Sequence, residues 1–273
     1  MNNKIRLVYK AFVPARCCSC GKIINEEEYL CDYCYEMLER TNTVKRCIRC
    51  GNRVKDCVCK YRVLHFDGVV SPFVNSGVAS KVTYAFKFRG KMRGGEFLAE
   101  NMALCVRENY SDIKLDCICY VPMAEVKLKH RGYNQCKILA DRLGELLGLP
   151  VYDGLLTCKN SDTNQHDIKN YGERFHNVAG RYSADDSAEF KRILLVDDIT
   201  TSGATLNECA KQLLKHGACC VYCVTALFTE RKNKTIGEKN DNRHRNRFRL
   251  FKNGNILKFK GSSGASERGN GGQ

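Results

Sequence analysis

Asp197 and Asp198 end an aliphatic run, "RILLVDD", and are followed at once by Ile199, Thr200, Thr201, Ser202, Gly203, Ala204 and Thr205. Hydroxyls and a glycine that lead into an amphipathic helical pattern make an anion site. The first amides of a helix lack partners and its dipole favours negative charge, so a phosphate is expected in this loop. Two carboxylates cannot face that phosphate directly. They suit ribose hydroxyls beside it, or a bridging divalent cation. The series therefore asks for a ligand with a diol on one side and a phosphate on the other. A strand running into a capped helix would account for Asp198 or Thr201 alone, not for the whole run.

A second chemistry lies near the N-terminus. Nine of the 18 cysteines fall between Cys17 and Cys59, spaced as Cys17-x-x-Cys20, Cys31-x-x-Cys34, Cys47-x-x-Cys50 and Cys57-x-Cys59. Two such hairpins can wrap one tetrahedral zinc in thiolate sulfur. The simplest pairing puts Cys17, Cys20, Cys31 and Cys34 on one ion and Cys47, Cys50, Cys57 and Cys59 on another. An interleaved pairing fits the spacing too. Gly21 and Gly51 follow the second cysteine of their pairs, where the turn favours positive φ. Four-sulfur sites leave no position for substrate, so these zincs are assigned to folding rather than catalysis. Cys18 is left over.

The elements that must position these residues alternate between strand and helix from Val63 to Phe228. "FDGVVSPFV", "LDCICYVPM", "RILLV" and "CCVYCVTALF" read as strands, whereas "SKVTYAFKF", "GEFLAENMALCVREN" and "NQCKILADRLGELLG" read as helices, the last stopping at Gly148. Such alternation predicts a mostly parallel sheet flanked by helices, with ligand bound beyond the carboxyl ends of the strands. On this reading the "RILLV" strand ends at Val196 and hands Asp197 and Asp198 to that edge.

"ILLVDDITTSGAT" closely resembles the phosphoribosyl-diphosphate (PRPP) motif of type I phosphoribosyltransferases. "VPMAEVKLKHRGYNQCKILA", with its Arg131-Gly132-Tyr133-Asn134-Gln135 segment, resembles the ComF family, whose members join a zinc ribbon to a phosphoribosyltransferase-like domain. "YAFKFRGK" and "TNQHDIKNYGERFHNVAGRY" match two further blocks of that family, at Lys87 and Gly90 and at Gln165, Arg174 and Asn177. The resemblance spans Cys17 to Phe228. It implies a type I phosphoribosyltransferase-like fold behind a double zinc ribbon, divided as 1–61, 62–230 and a basic tail 231–273. It implies that Asp197 and Asp198 contact ribose, that Thr200 to Thr205 wrap the 5′-phosphate, and that Mg²⁺ accompanies PRPP. Lys127, Lys129 and above all Arg131, at a strand-to-helix loop, could neutralise a pyrophosphate, and Tyr133 could offer its ring to a base. Lys87, Gln165 and Arg174 are the other candidates to face substrate.

ComF members are associated with natural transformation. The resemblance thus implies a PRPP- or nucleotide-binding protein of DNA uptake, with single-stranded DNA and competence-machinery proteins as partners. The alternative is an active transferase that moves ribose 5-phosphate from PRPP to a nitrogenous base. In that reaction Arg131, Asp197 and Asp198 would be the catalytic residues. Composition sets the outer bounds. No apolar run reaches the length of a membrane span, and the N-terminus lacks the apolar core of a signal peptide, so a cytoplasmic protein without membrane insertion is expected. Of the formal charge of +15, the segment from Arg231 onward holds 12 Lys/Arg against 3 Asp/Glu. The basicity thus belongs mostly to the tail, which is expected to be a solvated, disordered extension.

Overall fold

The structure is a computed structural model and describes residues 14–159, 178–189 and 191–230. The tail from Arg231, and Gln165, Arg174 and Asn177, lie outside the described residues.

A parallel sheet forms the centre. Strands β1 (Gly68–Val70), β2 (Phe73–Val74), β3 (Cys117–Tyr120), β6 (Arg192–Thr200) and β7 (Cys220–Phe228) associate in the order β1-β7-β6-β3, with β2 also pairing with β7. β6 and β7 are the apolar runs of the sequence and are buried along nearly their whole length, as strands covered on both faces must be. "FDGVVSPFV" gives two short strands instead of one. Pro72, which has no N–H for the ladder, separates them, and its carbonyl instead accepts from Thr41 N (3.1 Å).

Helices cover both faces. On one lie α2 (Gly77–Arg89), α3 (Met92–Asn109) and α5 (Gln135–Leu147), whose Val82, Phe86, Leu98, Met102, Leu139 and Leu143 share a core with Leu194, Val196 and Val224. On the other lies α6 (Ala204–Lys215), whose Leu206, Cys209, Ala210 and Leu213 pack on Ile193, Leu195, Val221 and Cys223. The short helix α4 (Glu125–Arg131) precedes α5, so Lys127, Lys129 and Arg131 sit on a helix and not in an open loop. A separate antiparallel pair, β4 (Leu156–Cys158) and β5 (Tyr182–Ala184), flanks residues 160–177. No helix among the described residues is long and apolar enough to cross a membrane.

The cysteine-rich segment docks on the β1–β2 edge. A short α-helix of this segment, α1 (Asp32–Glu36), carries Cys34. Cys17, Cys31 and Cys34 join the core with α3, Tyr29 Oη donates to Glu100 (2.8 Å), and Arg93 donates to the Glu26 and Glu28 carbonyls (2.9 and 2.6 Å). Farther along, Val69 N donates to Ile48 O (3.0 Å), and Arg46 and Arg53 both clasp Glu230 (2.5 Å each).

Candidate functional site and metal centres

The two cysteine modules are built alike. Cys17 N donates to Lys22 O and Cys47 N to Asn52 O (both 2.8 Å), while Gly21 N and Gly51 N return to Cys17 O and Cys47 O (3.0 and 2.8 Å). Both glycines have positive φ, +79° and +71°. The thiols gather as Cys17, Cys20, Cys31 and Cys34, and as Cys47, Cys50, Cys57 and Cys59, each set with its sulfurs within 4.8 Å of one another. This is the simplest of the pairings the spacing allowed. Four soft donors at this separation fit zinc, and the two Cys₄ groups could hold one ion each. Burial raises the thiol pKa of Cys17 and Cys50, but hydrogen bonds outweigh it, mainly from Cys20 N–H at Cys17 and from Val58 N–H at Cys50. The net result is about 7 and about 6, which favours one thiolate in each set, whereas burial pushes Cys34 in the first set up to about 12 and Cys59 in the second well above its usual range.

The second site lies at the carboxyl end of β6. The strand does not stop at Val196: it continues in register with β7 to Thr200, so Asp197 and Asp198 are strand residues and both are buried. Their carboxylates stay close together, an oxygen of each lying within 4.8 Å of the other and of the Cys136 sulfur. Asp197 Oδ1 accepts from the Asp198 amide (2.8 Å) and from the Cys136 thiol (3.3 Å). Asp198 Oδ2 accepts from Lys87 Nζ (2.6 Å) and from Gln135 Nε2 (3.0 Å). Burial and then the neighbouring Asp198 charge push the Asp197 carboxyl up to about 7, against the Asp198 amide, the Cys136 thiol and Lys87. Burial beside these carboxylates also pushes the Cys136 thiol well above its usual range, which keeps it a donor.

"RGYNQ" resolves into a local device. Arg131 ends α4. Gly132, at φ +83°, terminates that helix with its N–H on Leu128 O (2.7 Å), a conformation that favours glycine. Tyr133 Oη donates to the Phe86 carbonyl and its ring packs on Phe86, which ties the segment to α2. Asn134 caps α5, its Oδ1 accepting from Cys136 N (2.9 Å) and its Nδ2 donating to Val121 O (3.1 Å). Gln135 then starts α5. Its Oε1 accepts from Arg131 Nη1 (2.6 Å), whose guanidinium lies 4.9 Å from the centre of the Phe88 ring.

Lys87, Asp198, Gln135 and Arg131 are therefore one continuous chain of hydrogen bonds. Beside it, Thr201, Ser202 and Gly203 join β6 to α6. Gly203 takes φ +75° immediately before the helix, Ser202 Oγ accepts from Ala204 N (3.3 Å), and Thr205 lies half-buried in the first turn. Ile199 and Thr200 belong to the strand, Thr200 fully buried with its carbonyl accepting from Thr229 N (2.8 Å). Sequence reasoning gave no role to Gln135 or Cys136. Gln135 was visible as the last letter of "RGYNQ", but nothing in the sequence showed which carboxylate it meets.

The model of the phosphoribosyl transferase domain matches residues 129–251. Competence protein F of Haemophilus influenzae is 26% identical over 206 residues, 74% of this chain and 85% of the relative. Competence protein ComFC of Bacillus subtilis is 25% identical over 205 residues, 71% of this chain and 82% of that protein. The DNA utilization protein YhgH of Escherichia coli is 23% identical over 208 residues, 75% and 86% of the two chains. The matches bear out the expected type I phosphoribosyltransferase-like sheet behind a cysteine-rich N-terminal segment.

Proposed function

We propose that the chain is a ComF-type protein that binds PRPP, or a nucleotide presenting the same ribose 5-phosphate end, as a cytoplasmic protein of DNA uptake. One observation carries this reading: buried Asp197 and Asp198 stand next to a hydroxyl loop at a helix start, on the carboxyl edge of a parallel sheet. Asp197 and Asp198 would take the ribose hydroxyls. Thr201 to Thr205 would take the 5′-phosphate, with the buried Thr200 supporting the loop from β6. Arg131 and Lys87 would neutralise the diphosphate, which carries Mg²⁺ with it. The boundaries 1–61, 62–230 and 231–273 go with this assignment, as do Tyr133, Gln165 and Arg174 on the substrate side. Calorimetry with PRPP and Mg²⁺ tests it. Wild type should bind, and Asp197→Ala combined with Asp198→Ala should not; retained binding in that variant overturns the reading.

Catalysis is the second reading, favoured by two cations at the site, Lys87 bonded to Asp198 and Arg131 linked to it through Gln135. Positioned positive charge stabilises a departing diphosphate. Pyrophosphate release, followed with a panel of nitrogenous bases, separates transferase from binding protein. Handling of single-stranded DNA is supported by an aromatic and cationic ledge beside the site. Tyr84 and Phe88 are exposed with ring centres 4.9 Å apart, Arg131 lies over Phe88, and Arg89 lies 5.6 Å from the centre of Tyr84. Binding there should weaken steeply with salt and fall when Phe88 and Tyr84 are both replaced by alanine. Competence-machinery proteins would be its partners in that role.

A further inference from the structure

We propose that Gln135 is a positioning residue, fixing Arg131 and Asp198 relative to each other so that the diphosphate and ribose ends of one ligand are bound as a unit; this rests on the PRPP reading above. Gln135 is buried, and its backbone is held at the start of α5 by the Asn134 cap. Its amide is occupied at both ends, Oε1 by Arg131 (2.6 Å) and Nε2 by Asp198 (3.0 Å).

The chemistry allows one orientation only. A guanidinium can only donate and a carboxylate can only accept, so the amide oxygen must face Arg131 and the amide nitrogen must face Asp198. The outer face of Arg131 rests against Phe88, and the same Asp198 oxygen also takes Lys87. Arg131 is thus held from two sides, and one of these holds ends on the carboxylate assigned to ribose. A glutamine that served only to pack α5 would need neither polar end matched to an opposite charge. Among the described residues, its removal would leave Arg131 without its side-chain hydrogen-bond partner and Asp198 with Lys87 as its remaining side-chain donor.

The test is PRPP calorimetry with Mg²⁺ on Gln135→Leu, Arg131→Met and the double variant. Hydrogen bonds to charged groups are strong enough that each single change should weaken PRPP about tenfold or more. Because the two residues act together, the double variant should be within about threefold of the weaker single. Ribose 5-phosphate, which lacks the diphosphate, should lose less affinity than PRPP on Gln135→Leu. If the single losses multiply in the double variant, or if both ligands lose affinity equally, the inference is overturned. Gln135→Met, closer in shape, repeats the measurement should the leucine variant not fold. Retained PRPP binding in the Asp197→Ala, Asp198→Ala protein would sink the ligand reading itself. Independent action of Gln135 and Arg131 in a chain that does bind PRPP would sink this inference alone.

Discussion

Replacing Asp197 with asparagine should abolish ligand binding and yet stabilise the free protein at neutral and alkaline pH. Asp197 is buried beside Asp198, and its carboxyl is raised from 3.8 to about 7. A raised carboxyl pKa means that the native state holds its proton more tightly than the unfolded chain does. Stability is therefore highest at low pH and falls as pH rises from about 4 to about 7. The shift is about three pKa units at about 1.4 kcal/mol each, an upper bound of about 4 kcal/mol for keeping the charge. The asparagine Oδ1 can still accept from the Asp198 amide and the Cys136 thiol, so neither donor is orphaned. A net gain of about 2 kcal/mol is expected at pH 8, shrinking towards zero near pH 5. Urea unfolding of both proteins at pH 5.5 and 8.0, with zinc supplied, measures it. A variant less stable at pH 8, or a difference that does not change with pH, would refute the reasoning. Loss of function with gain of stability is the pattern of a site whose charges are held for a ligand.

Elemental analysis should return close to two zincs per chain, and Cys20→Ser should remove about one of them; chelation should lower the melting temperature, because the modules pack into the core through Cys17, Cys31 and Cys34. Gly95→Ala should cost about 1–3 kcal/mol by denaturant midpoint, since the added carbon would lie 2.6 Å from the Phe86 ring. It should also weaken PRPP binding by displacing the helix that carries Lys87. Glu230→Gln should loosen the second cysteine module, whose Arg46 and Arg53 it clasps. Those arginines, Arg53 first, hold the Glu230 carboxyl below its usual 4.5. The stability difference from wild type should therefore be present at neutral pH and vanish as acid protonates Glu230, in matched melting curves.

Periodicity and spacing located most of the elements, because their causes are local. The aliphatic runs of β6 and β7 are doubly covered strands, and the Cys-x-x-Cys hairpins close on themselves through Gly21 and Gly51. Where the sequence misled, a longer-range partner decided. β6 runs past Asp197 and Asp198 because β7 offers it a ladder as far as Phe228, and no property of "VDDIT" itself announces that. The same distance in sequence hid the organisation of the candidate site. Lys87 and Asp198 are 111 positions apart, and Gln135 and Asp198 are 63 apart. Residue type could mark each as polar and suspicious, but only the packing of α2 and α5 on one face of the sheet makes them neighbours. Their burial then changes what they are. An exposed lysine–aspartate pair contributes little, whereas here buried Asp198 accepts from half-buried Lys87 and from Gln135, which in turn holds Arg131, and the four make a fixed electrostatic frame. Such a frame is set before ligand arrives, which is the condition under which positioned charge is most effective.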